Sequence, residues 1–598
     1  MWAIDQDHPT GSDHEAILLE WEDMGGEEPL IEAVRTITGW QIQDLLADNE
    51  TLEKASQAWK DLMEARPRLS DSCAAEDIAS EASWIQEALT GILDQYAKPI
   101  QLTPYSKRWW GSEVREARGA YARARRSWQA GSIGDTEHRE ARKAYYRVIR
   151  KAKRECWEAF LGAPQDLRDS LDSARCWKAL QYTKPRAGGT TPTLRGPPPE
   201  YRTATTFDEK EALVREIAFP PAPSDIALIR PPKGAWHKQI TAEGVQQALF
   251  SQAVQKAPGI DRLNFRALRL LWSWDSPRII ALARQCFRLG IHPQTWKTAK
   301  GILLRKPRKP KVTDYTLVKA YRVISLLNCL GKVIEKLAAD AIARHCEENR
   351  TLHQGQMGCR RHRSAIDAVT CLIHDVHQGW KEKLLSGALF IDVRGAFDHV
   401  DPARLVKRLG DMGIDGDLIC WVASFLTDRK AQLVIDGHQG PEKPIYSGLP
   451  QGSPVSPILF IIYIRGVFEA IEARVSGVRP LSFADDIGLL TQASSIEQAC
   501  RQLQQAGEVA IEWGAANGVQ FDPEKTEAAL FTRKKGRDLK DRFQRARLTL
   551  GGKDVAFNQE ATKWLGVLLD TGLTLKAHYQ ERLQKAKKAE ARVRALYR

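Results

Sequence analysis

The chain has 598 residues, with 88 Lys and Arg against 75 Asp and Glu, a net charge of +13 and a pI near 9.2. That length suits about three or four domains. No apolar run reaches the ~18 residues of a membrane span, no signal-peptide pattern opens the chain, and the 10 cysteines include no Cys-x-x-Cys pair. Membrane, secreted and zinc-module classes are thereby disfavoured, and a reduced intracellular setting, nuclear or cytoplasmic, is expected.

The charge is unevenly spread. Residues 1–100 hold 22 acids and 6 bases, and the remainder carries +29. A basic body behind an acidic leader is the footprint of a polyanion binder. Residues 15–100 read as short acidic helices bearing Trp. From Ser106 to Leu161 the character changes to two long helical patterns, roughly 112–129 and 136–161, with 15 bases and 5 acids between Lys107 and Arg154. Trp109, Trp110, Tyr121, Trp128, Tyr145 and Tyr146 are interleaved there. Two readings stand side by side: backbone contact and base stacking on a nucleic acid, or an ordinary helical hairpin with solvated basic faces and aromatics inside. Residues 183–235, rich in Pro and Gly, read as a linker or extended surface arm. Beyond about 240 the pattern is mixed helix and strand. His374 and His377 form a His-x-x-His with no third ligand, expected on a helix surface. The stretch 576–598 reads as a basic helix with Leu583, Ala586, Val593 and Leu596 on one stripe.

Within the mixed region, Ser482 to Leu490 (Ser-Phe-Ala-Asp-Asp-Ile-Gly-Leu-Leu) sets Asp485 beside Asp486 in an apolar, strand-like run. Such a pair is either a hairpin turn facing water or a charge cluster that requires a cation. Gly387 to Asp392 is an apolar strand ending in a carboxylate, with a helix start expected over 395–400. Asp392 is then either a helix cap or a third carboxylate for a two-metal phosphoryl-transfer site. Between them, Ser447 to Phe460 (Ser-Gly-Leu-Pro-Gln-Gly-Ser-Pro-Val-Ser-Pro-Ile-Leu-Phe) reads as a Gly/Pro-fixed loop entering a long apolar helix. Gly452 permits close backbone approach, and Gln451 offers a hydrogen-bonding amide. The basic stretch 305–311 lies between two strand patterns, 301–304 and 321–327.

Gly387–Asp398, Leu449–Phe460 and Phe483–Asp486 together resemble the palm motifs of reverse transcriptases, in particular the non-LTR (LINE-like) retrotransposon branch. Further blocks resemble that family in order: Ala257 to Asp261, Tyr321 to Leu327, Gln356 to Ala368, Asp522 to Glu527, and Lys563 to Val567. Cys359 departs from the pattern, standing where the family usually has an aromatic. The likeness covers about 250–575. It implies an α+β right-hand polymerase with fingers, palm and partial thumb, preceded by a helical basic extension. The expected layout is fingers and palm over 236–550 and primer grip with thumb over 551–598. Residues 21–182 and 183–235 would be linking regions. Thr10 to Glu20, with Asp13 and His14, resembles the closing strand of an apurinic-type endonuclease, so 1–20 is expected to be a remnant without nuclease activity.

The resemblance assigns Asp392, Asp485 and Asp486 as ligands of two Mg²⁺ ions, with Mn²⁺ as the alternative. Phe397 becomes a steric gate against a ribose 2′-hydroxyl. Arg322 and Lys306 become triphosphate contacts, and Gln451 and Gly452 line the nucleotide and template. Lys525 is placed to protonate or hold pyrophosphate, its alternative being a solvated loop lysine. The implied activity is RNA-directed DNA polymerisation, with RNA template, DNA primer or target and dNTPs as partners, no membrane, and no assigned oligomeric state. Two other readings remain in play: a catalytically silent nucleic-acid-binding remnant, and a group II intron maturase-like protein.

Overall fold

The computed structural model describes residues 2–5, 16–19, 37–101, 109–161, 190–197, 202–220, 227–254, 256–306, 314–534 and 537–596. The chain forms two compact units, 1–40 with 99–156 and 41–98 with 157–598. Among the described residues no helix is long and apolar enough to cross a membrane. Asp13, His14 and most of the basic stretch 305–311 lie outside the described residues.

The first unit pairs Trp2–Asp5 with Ala16–Leu19, and Ile37–Trp40 with Pro99–Gln101, both antiparallel. It also holds a helical hairpin, Ser112–Gln129 and Asp135–Leu161, at the spans the periodicity predicts. Several of the hairpin's aromatics pair with each other. Trp128 stacks on His138 at 4.6 Å, and Tyr121 stacks on His138 and Tyr145 at 5.7 and 5.5 Å. Lys151 bridges to Glu113 at 3.1 Å. For Tyr121, Trp128 and Tyr145, the plain helical-hairpin reading accounts for the spacing.

Residues 41–98 of the acidic leader are part of the second unit. Ala75–Tyr96 is a 22-residue helix rather than a short one. Its Ile78, Ala82, Ile85, Leu89 and Leu93 recur every three to four residues and are buried. It packs with the helix Asn49–Glu64 against the long helix Phe265–Leu289. The Pro-rich segment 183–235 is likewise more than a linker. Thr206 and Glu209 form a capping box for the helix Phe207–Ala218. That helix buries Leu213 and Val214 in one cluster with Tyr321, Leu433 and Ile435. The proline clusters on either side hide this short amphipathic element from a composition reading.

Two sheets follow. The strands β1 (Thr298–Arg305), β2 (Tyr321–Leu326), β4 (Arg429–Ile435), β5 (His438–Gln439) and β6 (Lys443–Ile445) form a five-stranded sheet of order β5-β4-β1-β2. In it β6 also pairs β4, and β4 runs parallel to β1. The strands β3 (Leu385–Arg394), β7 (Val478–Phe483), β8 (Asp486–Ala493) and β9 (Gln520–Phe531) form a four-stranded antiparallel sheet of order β7-β8-β3-β9. Both faces of β3 are covered, which explains its unbroken apolar run. Ala388 and Phe390 pack with Ala368, Val369, Leu372 and Val376 of the helix α1 (Ala365–Lys381) and with Trp564. On the opposite face, Gly387 and Leu389 meet the helix α2 (Ile496–Ala516), whose Leu503 and Gly507 lie against them. Trp564 stacks on Phe390 at 5.2 Å, so the 563–567 block sits beneath the sheet. His374 and His377 lie on α1, where His374 meets Gln378 and His377 meets Trp380.

Candidate active site

Asp392 belongs to β3, two residues before its end, so it caps no helix. The helix start expected at 395–400 is a turn instead. Asp398 N donates to Gly395 O at 2.8 Å, and His399 N donates to the same oxygen at 3.1 Å. The helix begins only at Pro402, capped by Asp401. Pro402 explains the delay, because it disfavours helical backbone in the residue before it.

The strand register assembles the acids. Asp486, first residue of β8, stands directly opposite Asp392. Asp522 of β9 stands opposite Asp392 on its other side. Directly paired residues point to the same face of a sheet. Asp485 occupies the two-residue turn between Phe483 and Asp486, with Ala484 ahead of it at φ +56°. A two-residue hairpin turn calls for such a positive φ, and Gly358 packs closely against it, since a Cβ there would come within 2.2 Å of Ala484 N. Met357 N also donates to Ser482 O at 2.8 Å.

The electrostatics are those of an acid surplus. Burial, then Asp485 and Asp392, raise the Asp486 carboxyl to about 6. Burial and Asp392 raise Asp485 also, against the pull of Arg322 and Lys525. Lys525 Nζ lies 2.6 Å from Asp392 Oδ2 and 3.0 Å from Asp522 Oδ2. Burial disfavours the Lys525 ammonium, but the hydrogen bonds to Asp392 and Asp522 win and raise it. Lys525, although exposed, therefore pairs directly with Asp392 and Asp522. It projects from a register break in β9 between Asp522 and Glu527. Among the described residues no three His, Cys, Asp or Glu side chains are arranged to hold a metal ion. With Lys525 seated on Asp392, a cation is already supplied to that carboxylate.

Of the remaining expected residues, Arg322 and Lys306 act electrostatically on this cluster. Arg322 on β2 pairs with Leu304 of β1 and is exposed. Lys306 follows β1, and its Nζ donates to Lys319 O at 2.7 Å. Burial, then Arg322 and Lys525, lower the Lys306 ammonium, while Asp392 and Asp398 oppose them. Basic groups of the five-stranded sheet and acids of the four-stranded sheet thus share one electrostatic environment. Phe397 stacks on Phe460 at 5.1 Å. Gly452 has φ +123°, and a Cβ there would meet Ser325 O at 2.8 Å, so the loop lies against β2 as its glycine requires.

Three side chains here had no role in the sequence reading. Asp398 accepts from Gln451 Nε2 at 3.0 Å. Glu335, buried on the helix Cys329–Glu348, accepts from Ser453 Oγ. Asp522 shares Lys525 with Asp392. Asp398 and Asp522 each sit inside a quoted motif, and their register relative to Gln451 and Asp392 was the missing signal. Glu335 carries no such mark.

A family model described as reverse transcriptase (RNA-dependent DNA polymerase) matches residues 306–569. The chain is 29% identical over 342 residues to the RNA-directed DNA polymerase from mobile element jockey of Drosophila funebris, covering 57% of this chain and 36% of that protein. It is 26% identical over 493 residues to a putative 115 kDa protein in the type-1 retrotransposable element R1DM of Drosophila melanogaster, covering 79% and 44%. It is 24% identical over 264 residues to a Pol polyprotein from the type-1 element R2 of Popillia japonica, covering 42% and 35%. The chain thus spans less than half the length of each of these relatives.

Proposed function

We propose that this chain, which carries a reverse transcriptase domain similar to those of non-LTR retrotransposon RNA-directed DNA polymerases, extends a DNA 3′-hydroxyl with deoxynucleotides on an RNA template. The observation that carries the reading is the strand register setting Asp392 opposite Asp486, next to the turn bearing Asp485. Three hard oxygen donors with surplus negative charge suit divalent ions. Asp392, Asp485 and Asp486 are the residues to hold them, Mg²⁺ first and Mn²⁺ as the alternative. When bound, such ions would supply charge stabilisation for in-line phosphoryl transfer.

The chain's own residues do the rest. Lys525 neutralises Asp392 and Asp522, and near a nucleotide the same ammonium is a donor for pyrophosphate. Arg322 and Lys306 would bind the triphosphate by charge-assisted hydrogen bonds. Phe397, fixed by its stack on Phe460, would press against the sugar and exclude a 2′-hydroxyl. Fingers and palm are the natural roles of the five-stranded and four-stranded sheets, with 551–596 as primer grip and thumb.

Primer extension on oligo(dT)-primed poly(rA), with Mg²⁺ or Mn²⁺, tests this. The unmodified chain should incorporate dTTP, and Asp485→Asn combined with Asp486→Asn should reduce the rate by at least ~10²-fold. Undiminished incorporation by that variant, or none by the unmodified chain, would refute the proposal.

A further inference from the structure

We infer that Asp398 is a positioning residue for nucleotide selection, holding the Gln451 amide with its nitrogen inward so that Oε1 is presented to the incoming nucleotide. The inference rests on the polymerase reading above and assigns a residue that reading leaves without a role. Glutamine's amide ends are nearly identical in shape, and only a hydrogen-bond partner sorts them. An ionised carboxylate accepts and does not donate. Gln451 Nε2 lies 3.0 Å from Asp398 Oδ1, which commits the nitrogen and leaves the oxygen free to turn outward. Burial raises the Asp398 carboxyl to about 6, with Gln451 and Lys306 acting against it, so at pH 8 it is the acceptor.

Both partners are themselves pinned. Asp398 N is bonded to Gly395 O at 2.8 Å. The Asp398 carbonyl lies against Gly448, where a Cβ would come within 2.6 Å. Gln451 O accepts from Ser325 N at 2.8 Å, so its main chain is held by β2 while its side chain is held from the turn after β3. Phe397, the adjacent residue, gives its carbonyl to Leu449 N at 2.6 Å. One short turn therefore orients both the proposed sugar gate and the glutamine.

The test is a double-mutant cycle in single-nucleotide incorporation at pH 8, with Asp398→Ala, Gln451→Ala and both together. Each single variant should raise the dNTP KM by about tenfold, the usual scale for losing one charged hydrogen bond, with kcat within about twofold. The double variant should be no worse than either single. Asp398→Asn keeps the shape and one acceptor but also offers an N–H to Oε1, so it should fall between Asp398→Ala and the unmodified chain. If Asp398→Ala does not fold, Asp398→Asn takes its place in the cycle. Additive losses in the double variant, or a loss confined to kcat, would overturn the inference while leaving the polymerase reading intact. No incorporation by the unmodified chain would overturn both.

Discussion

Two groups of carboxylates in the second unit contrast sharply. Glu81 and Asp275 are buried where the leader helix Ala75–Tyr96 meets the helix Phe265–Leu289, and arginines surround them. Arg278 bonds to both. Arg66 reaches Glu81 at 2.9 Å, and Arg68 reaches Asp275 at 2.9 Å. At the sheet edge, Asp392 and Asp522 share the ammonium of Lys525, while Asp485 and Asp486 beside them form no ion pair with it and are pushed upward. The first group is a network that joins elements, with three arginines around two carboxylates. The second keeps an anionic surplus in a partly enclosed place, and carboxyls raised in this way cluster at functional sites. The comparison also explains part of the chain's charge asymmetry: some of the leader's acids are the counterparts of arginines in the body.

The sharpest way to break this comparison is to delete one charge from each group. Arg278→Ala leaves Glu81 and Asp275 with less compensation in the interior and should cost about 3–5 kcal/mol. It would be seen as a large fall in the urea midpoint, and an unchanged midpoint would mean the network contributes little. At the sheet edge the sign reverses. In the metal-free protein, the raised Asp486 carboxyl keeps its proton in the folded state while the unfolded chain loses it near 3.8. Its stabilising contribution is therefore full below 3.8 and lost as pH rises through about 6. Asp486→Asn should remove that decline and slightly stabilise the metal-free chain, by less than about 1 kcal/mol given the exposure of the residue. Mg²⁺ or Mn²⁺ at 100 times its Kd should raise the stability of the unmodified chain by about 2.7 kcal/mol. The same addition should do much less for Asp486→Asn. Equal metal stabilisation of both proteins, measured by thermal unfolding, would place the ion elsewhere.

The sequence made Asp392, Asp485 and Asp486 of the second group legible and hid Asp522 and the acids of the first. Asp485 and Asp486 stand out because charge interrupts an apolar period-2 run. Gly387–Asp392 and the helix after Ser456 followed the same logic, as did both basic helices of the first unit. Glu81 and Arg278 are far apart in the chain, and each looks like an ordinary charged residue on a helix. Nothing local says they meet. The turn at 395–400 reads as a helix start because Ala-Phe-Asp-His-Val itself lacks a breaker, whereas Gly395, at φ +55°, and Pro402 on either side confine it to a turn. The helix Phe207–Ala218 was lost among prolines. The partnerships of Gln451 with Asp398 and of Lys525 with Asp392 depend on register and loop path, which the motifs place near one another but do not orient.

The smallest expected effect concerns the turn that separates the two strands of the acid hairpin. Ala484 holds φ +56°, a conformation that costs an L-residue with a Cβ roughly 1–2 kcal/mol. Glycine would remove that strain but lose about 0.5–1 kcal/mol through the greater freedom of its unfolded chain. Ala484→Gly should therefore raise stability by only about 0.5–1 kcal/mol, read as a small increase in the urea midpoint. Incorporation should fall a few-fold, because the alanine also limits where the next residue, Asp485, can point. The two-residue turn still calls for a positive φ, so the left-handed geometry would survive the change while its local stiffness would not. A fall in stability would show that the methyl group of Ala484 contributes packing that outweighs its strain. Unchanged incorporation would show that the position of Asp485 is fixed by β8 and Gly358 alone.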